Sequence, residues 1–242
     1  MSQFTEIGRI AQVNRYPVKS MGGEHLDAVD LRWTGFDGDR QFAFHKTQEK
    51  SRFPWFTARM YSEMVLFGAR YQDPAAIKTS AVTVTLPEGG ACDVTAPELT
   101  ARFSAAAKTD VGLIQVGRGN FDSMPVSVLG LGTIDAVSAA HYGRGGRAVE
   151  TARFRPNIVI DTGRESDWMD KCLVFGDAET GPRLRVNKPI DRCAFITVDP
   201  ATAAHDPKLL RTVVEHFNNQ VGAYCVPERL GVLTAGMKVW LA

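Results

Sequence analysis

The sequence is poor in cysteine, has no long apolar run and carries almost no net charge. Its four cysteines show no CxxC spacing, which argues against a zinc site and a dense disulfide framework and favours a cytoplasmic location. The 28 basic and 27 acidic residues give a net charge of +1, so no whole-protein field attracts nucleic acid or an anionic membrane. We therefore expect no nucleic-acid or membrane partner, and any anion must be recognised locally.

Several familiar motifs are also missing. The N-terminal segment alternates polar and apolar residues without the apolar core of a signal peptide, so we expect neither a secretory leader nor a membrane anchor. No GxSxG or HExxH motif is present, which disfavours hydrolases and zinc enzymes. The glycine-rich stretch 143–147 lacks the ending of a P-loop and the spacing of a dinucleotide fingerprint, and is typical of a flexible loop.

What the sequence does contain is short segments of alternating polar and apolar residues, bounded by glycine and proline. Such segments predict strands at Ile7–Val13, Gln41–His45, Val82–Leu86, Ile158–Ile160, Leu184–Val186, Phe195–Val198 and Val239–Leu241. Convincing helical periodicity occurs at Gly132–His141 and Pro207–Asn218. Many strands without regular strand–helix alternation predict a mainly β (α+β) protein, a barrel or sandwich with a few helices.

A polar, glycine-containing stretch at residues 116–120 separates a strand-rich first half from a second half that contains both predicted helices. It is the best candidate for a domain boundary, which predicts a β-rich domain at 1–118 and a second domain at 119–242. Because no low-complexity linker separates the halves, we expect them to pack together.

Cys193 is the most interesting of the four thiols. A deprotonated cysteine is a soft, strongly donating metal ligand, and the neighbouring Arg192 favours the thiolate. The alternative is an inert, buried cysteine that precedes the predicted strand Ala194–Val198. No partner at ligand spacing gives a role to the remaining cysteines, Cys92, Cys172 and Cys225.

Three other segments place cations next to turns. They are Tyr16–Ser20 before Gly22 and Gly23, Gly35–Arg40, and Arg153–Asn157 before a predicted apolar strand. Glycine permits close backbone approach, and an arginine fork suits a phosphate or a planar heterocycle. Taken singly, Lys19, Arg40 and Arg155 are typical solvated surface charges or ion-pair partners. Their joint occurrence predicts an anion cradle.

These segments occur in an order that resembles the MOSC family, named for its relation to the C-terminal domain of molybdenum-cofactor sulfurase, with the β-rich domain that often precedes it. The N-terminal likeness rests on Tyr16–Gly23, Gly38–Arg40 and Phe56–Arg59. The C-terminal likeness rests on Phe154–Ile160, Asp191–Cys193, Thr197–Pro200 and Gly236–Val239. The resemblance runs from about Ile7 to Leu241 and is nearest to the mitochondrial amidoxime-reducing component and its bacterial relatives. It implies a MOSC-type β-barrel packed on the N-terminal domain.

The resemblance also implies a molybdenum cofactor, Mo-molybdopterin, bound between the two parts. Cys193 would be the catalytic residue and the metal ligand. The implied cofactor-binding residues are Lys19, Ser20, Arg40, Arg59, Thr133, Arg155, Asn157, Asp191 and Arg192. Many relatives have a second cysteine where this chain has Ile190, and some bacterial relatives carry an iron–sulfur domain that this sequence lacks. A separate ferredoxin- or cytochrome-type donor is therefore expected.

Three functions remain open on the sequence. The leading hypothesis is a cytoplasmic molybdenum-dependent reductase that removes oxygen from N-hydroxylated or related small molecules. The main alternative is a non-catalytic module that carries or transfers the molybdenum cofactor or a sulfane sulfur through Cys193. The third is a metal-free β-barrel that binds a small molecule.

Overall fold

The computed structural model describes residues 4–242, which form sixteen strands and three α-helices. The helices are α1 (Pro97–Ala107), α2 (Leu131–Tyr142) and α3 (Pro207–Phe217). The strands are β1 (Thr5–Arg15), β2 (Glu24–Leu26), β3 (Ala28–Arg32), β4 (Gly35–Phe36), β5 (Phe42–Lys46), β6 (Gly68–Tyr71), β7 (Val82–Thr85), β8 (Ala91–Asp93), β9 (Val111–Gln115), β10 (Val126–Gly130), β11 (Ile158–Ile160), β12 (Cys172–Phe175), β13 (Arg183–Asp191), β14 (Gln220–Arg229), β15 (Gly231–Thr234) and β16 (Lys238–Leu241). The predicted mainly β fold is confirmed.

Seven strands close into a barrel in the order β11-β10-β14-β13-β12-β16-β1, with β1 also paired to β11. The β10–β11 pair is parallel and the other barrel pairs are antiparallel. Alternate residues of each strand fill the interior, as the period-two patterns predict. The inward pairs include Val126 and Val128, Leu173 and Phe175, and Leu184 and Val186.

Helices α2 and α3 cover part of the outside of this barrel. Leu129 and Val221, on β10 and β14, contribute to a second apolar cluster with Val137 of α2 and Val213 of α3. Because β10 has apolar neighbours on both faces, all five of its residues, Val126–Gly130, are buried.

The remaining strands form three small sheets, β15-β3-β4, β5-β9 and β6-β7-β8. The last two enclose a separate aromatic core, in which the rings of Phe44 and Phe103 meet edge to face at 4.6 Å. Strand β1, from the beginning of the chain, lies within the barrel, and β3 pairs with β15 near the C-terminus. The predicted division after residue 118 stays a prediction.

Helix α1 was not predicted from the sequence. Its eleven residues bury only Leu99 and Phe103, and its other positions are largely alanine and polar residues. Two apolar side chains four residues apart give too weak a periodicity to indicate a helix. Pro97 at the first helical position was the available signal.

The prediction of a strand at Phe195–Val198 was wrong, and with it the strand Ala194–Val198 after Cys193. Strand β13 ends at Asp191, and Ala194–Thr197 form a short 3-10 helix. The hydroxyl of Thr197 donates to the carbonyl of Ala194 at 2.7 Å, which stabilises the turn. Its apolar residue Ile196 is buried with the α3 cluster rather than in a sheet. Tertiary packing therefore overrides the β propensity of this segment.

No helix within residues 4–242 combines the length and apolar character that crossing a membrane requires.

Candidate functional site

A pocket of about 330 Å³ lies where turns of the first half meet the end of β13. Nine of the ten predicted site residues line it, from both halves of the chain. These nine are Lys19, Ser20, Arg40, Arg59, Arg155, Asn157, Asp191, Arg192 and Cys193. The convergence of distant segments is what the joint occurrence of the cationic turns predicted.

Thr133 is the predicted residue that the structure does not bring to this pocket. It lies near the start of α2, where its buried hydroxyl donates to the carboxylate of Glu165 at 2.6 Å. It lines a different pocket, of about 290 Å³. The same glutamate accepts from the N–H of Gly130, the residue before the helix, so Glu165 holds the start of α2 at two residues.

Cys193 is exposed, whereas Cys172 and Cys225 are buried in the barrel wall. Cys193 lies two residues beyond the end of β13. Its backbone carbonyl accepts from the N–H of Ile196, in the first turn of the 3-10 helix. Burial raises the pKa of Cys225 far above its ordinary value, so that thiol stays protonated and unreactive. The inert, buried alternative therefore describes Cys225 and not Cys193.

Tyr16 lies beneath two guanidinium groups. The Arg155 carbon Cζ is 4.1 Å from the centre of its ring, and the Arg40 Cζ is 4.8 Å away. Each cation over an aromatic face contributes on the order of 0.5–2 kcal/mol. Burial raises the pKa of Tyr16, so its hydroxyl remains protonated and donates to the carbonyl of Pro156 at 3.3 Å. The ring therefore orients both arginines at the pocket.

Arg155 is incompletely hydrogen-bonded. Its Nη1 donates to the carbonyl of Met21, but its Nη2 has no hydrogen-bond partner among residues 4–242. Burial lowers the pKa of Arg155 to about 10, and the neighbouring Arg40 cation acts in the same direction. The Arg155 guanidinium is still charged at neutral pH. The pocket wall therefore contains a cation whose buried Nη2 has no acceptor.

Asp39 and Asn157 anchor the floor of the site. The Asp39 carboxylate, which is fully buried, accepts from Arg40 and from the Asn157 side-chain amide, the latter at 2.9 Å. The Asn157 carbonyl oxygen accepts from the N–H and hydroxyl of Ser127 at 3.1 and 3.0 Å. Both Asn157 amide hydrogens are used, the second by Asn14. Asn157 is thus bonded mainly to protein, although it lines the pocket.

Lys19 reaches the opposite wall, where only 9% of its side chain is exposed. Its Nζ donates to the Asn120 carbonyl at 2.9 Å and to the Asp122 carboxylate at 2.6 Å. Burial lowers the pKa of Lys19, and the Asp122 charge opposes that effect. An ammonium group has three hydrogens, so one donor remains beyond these two bonds.

Arg192 connects the Cys193 segment to its neighbours. Its Nε donates to Val221 at 2.7 Å and its Nη1 to Phe154 at 3.0 Å, in each case to the backbone carbonyl. It passes Gly222, whose φ is +81° and where a Cβ atom would lie 2.8 Å from Nη2. Burial lowers the pKa of Arg192 to about 10, which leaves it cationic at neutral pH.

The two remaining predicted residues lie at the rim. Asp191 is exposed and accepts from the side chain of Gln220 at 3.3 Å. Arg59 is exposed, with its guanidinium 6.0 Å from the ring centre of Phe53. The side chains of Asp191 and Arg59 are therefore more exposed to solvent than those of Lys19, Arg155 and Arg192.

Ser20, Arg40 and Arg155 share a feature that residue type did not reveal. All three have left-handed backbone conformations, with φ of 70°, 51° and 51°. Such a conformation costs about 1–2 kcal/mol for a residue with a side chain. Non-glycine residues held there are enriched at ligand sites, because the surrounding structure must enforce the strain.

Sequence reasoning also missed residues that support or line the site. Tyr16 and Asp39 were within the quoted motifs but were not assigned a role, and the aromatic wall was not foreseen. Its members are Phe53, Phe121, Phe154, Phe195 and Tyr224. The available signals were Tyr16 directly before Pro17, and Asp39 between Gly38 and Arg40.

The pocket combines cations, planar aromatic surface and one exposed thiol. Six cationic and two acidic side chains line it, an excess of positive charge that suits an anion. Aromatic rings suit a flat heterocycle, and a thiolate is a soft metal ligand. The arrangement therefore fits a planar guest that carries an anionic group and a metal.

Comparisons with known proteins agree with this geometry. The family model described as the MOSC N-terminal beta barrel domain matches residues 7–123, and the MOSC domain model matches residues 119–240. The YUAD protein from Bacillus subtilis, a solved structure, aligns at 13% identity over 100% of this chain and 98% of that chain, with a TM-score of 0.54. That likeness shows a shared fold.

YiiM from Geobacillus stearothermophilus aligns at 17% identity over 49% of this chain and 54% of that chain, with a TM-score of 0.37. No curated protein sequence matches the chain. MOSC domains are associated with proteins that bind the molybdenum cofactor, and the MOSC model alone covers half of the 242 residues. The chain therefore belongs to the MOSC family.

Proposed function

We propose that the protein is a molybdenum-cofactor-dependent oxidoreductase that reduces N-hydroxylated or related N-oxygenated small molecules. The observation that carries this proposal is the exposed thiol of Cys193 in the same pocket as the buried Lys19 and the half-buried Arg155 and Arg192. The amidoxime-reducing component, which the sequence resembles, provides the reaction class.

The residues present fit a molybdopterin. The unmet donor of Arg155 and the third hydrogen of Lys19 suit an anionic phosphate, and the aromatic wall suits a pterin ring. The pocket volume of about 330 Å³ lies at the lower end of the range of roughly 300–1,000 Å³ for small-molecule sites. Within residues 4–242 no group of three or more His, Cys, Asp or Glu side chains could hold a metal ion. A metal at Cys193 would take its other ligands from the cofactor.

In this proposal the chain supplies binding, orientation and one ligand. The bound cofactor supplies two-electron oxygen-atom transfer. Cys193 provides the thiolate ligand, Arg155 and Lys19 hold the phosphate, and Arg192 fixes the segment that carries Cys193. The rings of Phe195 and Tyr224, which line the pocket, would shield the bound cofactor from water.

Other roles proposed from the sequence stay predictions. Asn157 and Ser20 would shape the floor, while Arg40, Arg59 and Asp191 would complete the cofactor site. Thr133 lies outside this pocket, so we do not include it. Electrons would come from a separate ferredoxin- or cytochrome-type protein, and the cytoplasmic location and the absence of nucleic-acid and membrane partners also stay predictions.

A second function has one specific observation in its favour. Cys193 is exposed rather than enclosed, so a partner could approach it to exchange a cofactor or a sulfane sulfur. This supports the alternative of a non-catalytic carrier.

Turnover separates the two functions. The wild type, expressed in a host that makes the cofactor, should reduce benzamidoxime when given a reduced ferredoxin or cytochrome donor. Cys193→Ser should abolish this activity without unfolding the chain, whereas Cys92→Ser, at a half-buried cysteine outside the pocket, should leave it unchanged. A loaded wild type with no turnover with either donor would favour the carrier.

A further inference from the structure

Arg153 lines the pocket, but its guanidinium is turned into the protein. Its side chain is only 3% exposed. Nε donates to Glu150 at 2.7 Å and Nη2 donates to Asp199 at 2.9 Å. Nη1 donates to the carbonyls of Thr197 and Ile196 at 3.2 and 3.4 Å. All three nitrogens donate to the protein, and these bonds use four of the five N–H donors, so Arg153 is less available to a ligand than the other pocket cations are.

These bonds join the two segments that form the site. Arg153 belongs to a short 3-10 helix, Thr151–Phe154, that leads directly into Arg155. Ile196 and Thr197 belong to the 3-10 helix Ala194–Thr197, which directly follows Cys193. One buried guanidinium therefore connects the arginine of the anion site to the thiol segment, across 40 or so residues of sequence.

Asp199 completes the connection on the far side. Its Oδ1 accepts from the N–H groups of Ala201 and Thr202 at 2.9 and 3.0 Å, while its Oδ2 accepts from Arg153. The carboxylate is thus fixed by its own turn, and it fixes the arginine in return. Such a fork of planar, charge-assisted bonds cannot be reproduced by lysine, which has a single point charge.

We propose that Arg153 is a positioning residue, which holds Cys193 in register with Arg155 by way of the 3-10 helix and Asp199. Without it, the carbonyls of Ile196 and Thr197 lose buried donors and the turn after Cys193 opens more often. The inference concerns the thiol of the free protein, and its relevance to catalysis rests on the proposed function.

The test uses the cofactor-free, full-length protein and measures the alkylation rates of Cys193 and Cys92 by iodoacetamide at fixed pH. Cys193 is already exposed, so Arg153→Met acts on the surroundings of the thiol and should change its rate by about tenfold, because the turn that holds it loses charge-assisted hydrogen bonds to two buried carbonyls. The Cys92 rate should not change, since Cys92 lies on β8, outside the pocket, and Arg153 makes no hydrogen bond to that strand. Arg153→Lys should recover part of the wild-type rate.

Arg147→Met is the matched control. Arg147 pairs with the same two carboxylates, Glu150 and Asp199, but from the surface, where 61% of its side chain is exposed, and it does not bond the two carbonyls. Its substitution should leave the Cys193 rate within about twofold of the wild type. If Arg153→Met fails to fold, Asp199→Asn takes its place in the test. This variant keeps the shape of the side chain but removes the negative charge that pairs with Arg153.

Equal changes in the Cys193 and Cys92 rates would show general destabilisation and overturn the positioning role. An unchanged Cys193 rate in folded Arg153→Met would also overturn it. Where that variant does not fold, an unchanged rate in Asp199→Asn does the same. A second measurement follows pterin retained by the loaded variants after dialysis. A wild type that retains no pterin contradicts the proposed function, whereas the alkylation ratio still decides the role of Arg153.

Discussion

Asn157 of the second half donates its side-chain amide to the buried carboxylate of Asp39 in the first half, at 2.9 Å. The same carboxylate accepts from Arg40, whose Nη2 donates to the carbonyl of Arg155 at 3.0 Å. The floor of the site is therefore one hydrogen-bonded unit with members from both halves. A substitution at one member of this unit should therefore disturb the others. Cofactor binding should depend on residues such as Asp39, which do not line the pocket.

Replacing Asp39 should destabilise the whole chain. Asp39→Ala removes the buried carboxylate that pairs with the Arg40 cation, whose side chain is only 14% exposed, and leaves one hydrogen of the Asn157 amide without its acceptor. Breaking a buried charge pair in this way should lower the free energy of unfolding by roughly 3–5 kcal/mol. Urea titration checks the value. Asp30→Ala, which breaks the exposed pair with Arg32, should cost little, and equal losses in both variants would contradict the account.

Arg155→Met should weaken cofactor binding more than it affects folding. The variant keeps much of the apolar contact with Tyr16 but loses the charge and the unmet Nη2 donor. The affinity for the pterin should fall by roughly tenfold or more, because charge-assisted bonds to a phosphate are lost. Pterin fluorescence after dialysis measures retention. Arg144→Met, at an exposed arginine in the loop after α2, should retain as much pterin as the wild type.

Gly222→Ala should disturb Arg192 through direct contact. Both Gly222 and Gly89 have a positive φ, of +81° and +98°, so alanine at either position costs about 1–2 kcal/mol in backbone strain. At Gly222 the new Cβ would also lie 2.8 Å from Nη2 of Arg192, whereas Gly89 has nothing within 4 Å. Thermal unfolding of both variants isolates the contact. A Gly222→Ala variant no less stable than Gly89→Ala would show that Arg192 moves freely.

The stability contributed by Asp199 should depend on pH. Burial raises the pKa of Asp199, but the N–H groups of Ala201 and Thr202 and the Arg153 cation outweigh burial and lower it below its ordinary value. A carboxyl with a lowered folded-state pKa contributes stability above its unfolded pKa of about 3.9, and that contribution is lost as pH falls through the folded value. The destabilisation by Asp199→Asn should therefore be larger at neutral pH and shrink in acid. A difference from wild type that stays constant down to acid pH would contradict this.

The barrel could be predicted from the sequence because its strands have one face in the core. Segments such as Leu184–Val186 alternate visibly, and six of the seven predicted strands overlap observed ones. Nine of the ten predicted site residues converge on one pocket, and most of them lie on turns or at the end of a strand, in segments of distinctive composition. Helix α1 escaped prediction because it buries only two side chains, and the turn after Cys193 escaped because packing on α3, not propensity, sets its shape.

The supporting network was harder to predict. Asp39 was a charged residue between Gly38 and Arg40, and nothing in its neighbours along the chain shows that it becomes fully buried. Its partner Asn157 is 118 residues away, so their pairing depends on how the two halves pack. Thr133 was predicted at the cofactor site but lies outside this pocket, and the reason is the same. Its partner Glu165 follows β11, so the local sequence around Thr133 does not reveal their contact.

The molybdenum and pterin content of the purified protein tests the central claim most directly. Wild type and Cys193→Ser would be expressed in a host that makes the cofactor, and metal and pterin would be measured in each. We expect the wild type to contain both in equal amounts and Cys193→Ser to lose molybdenum while remaining folded. A wild type without molybdenum or pterin, or a Cys193→Ser variant that keeps its full molybdenum content, would contradict the account.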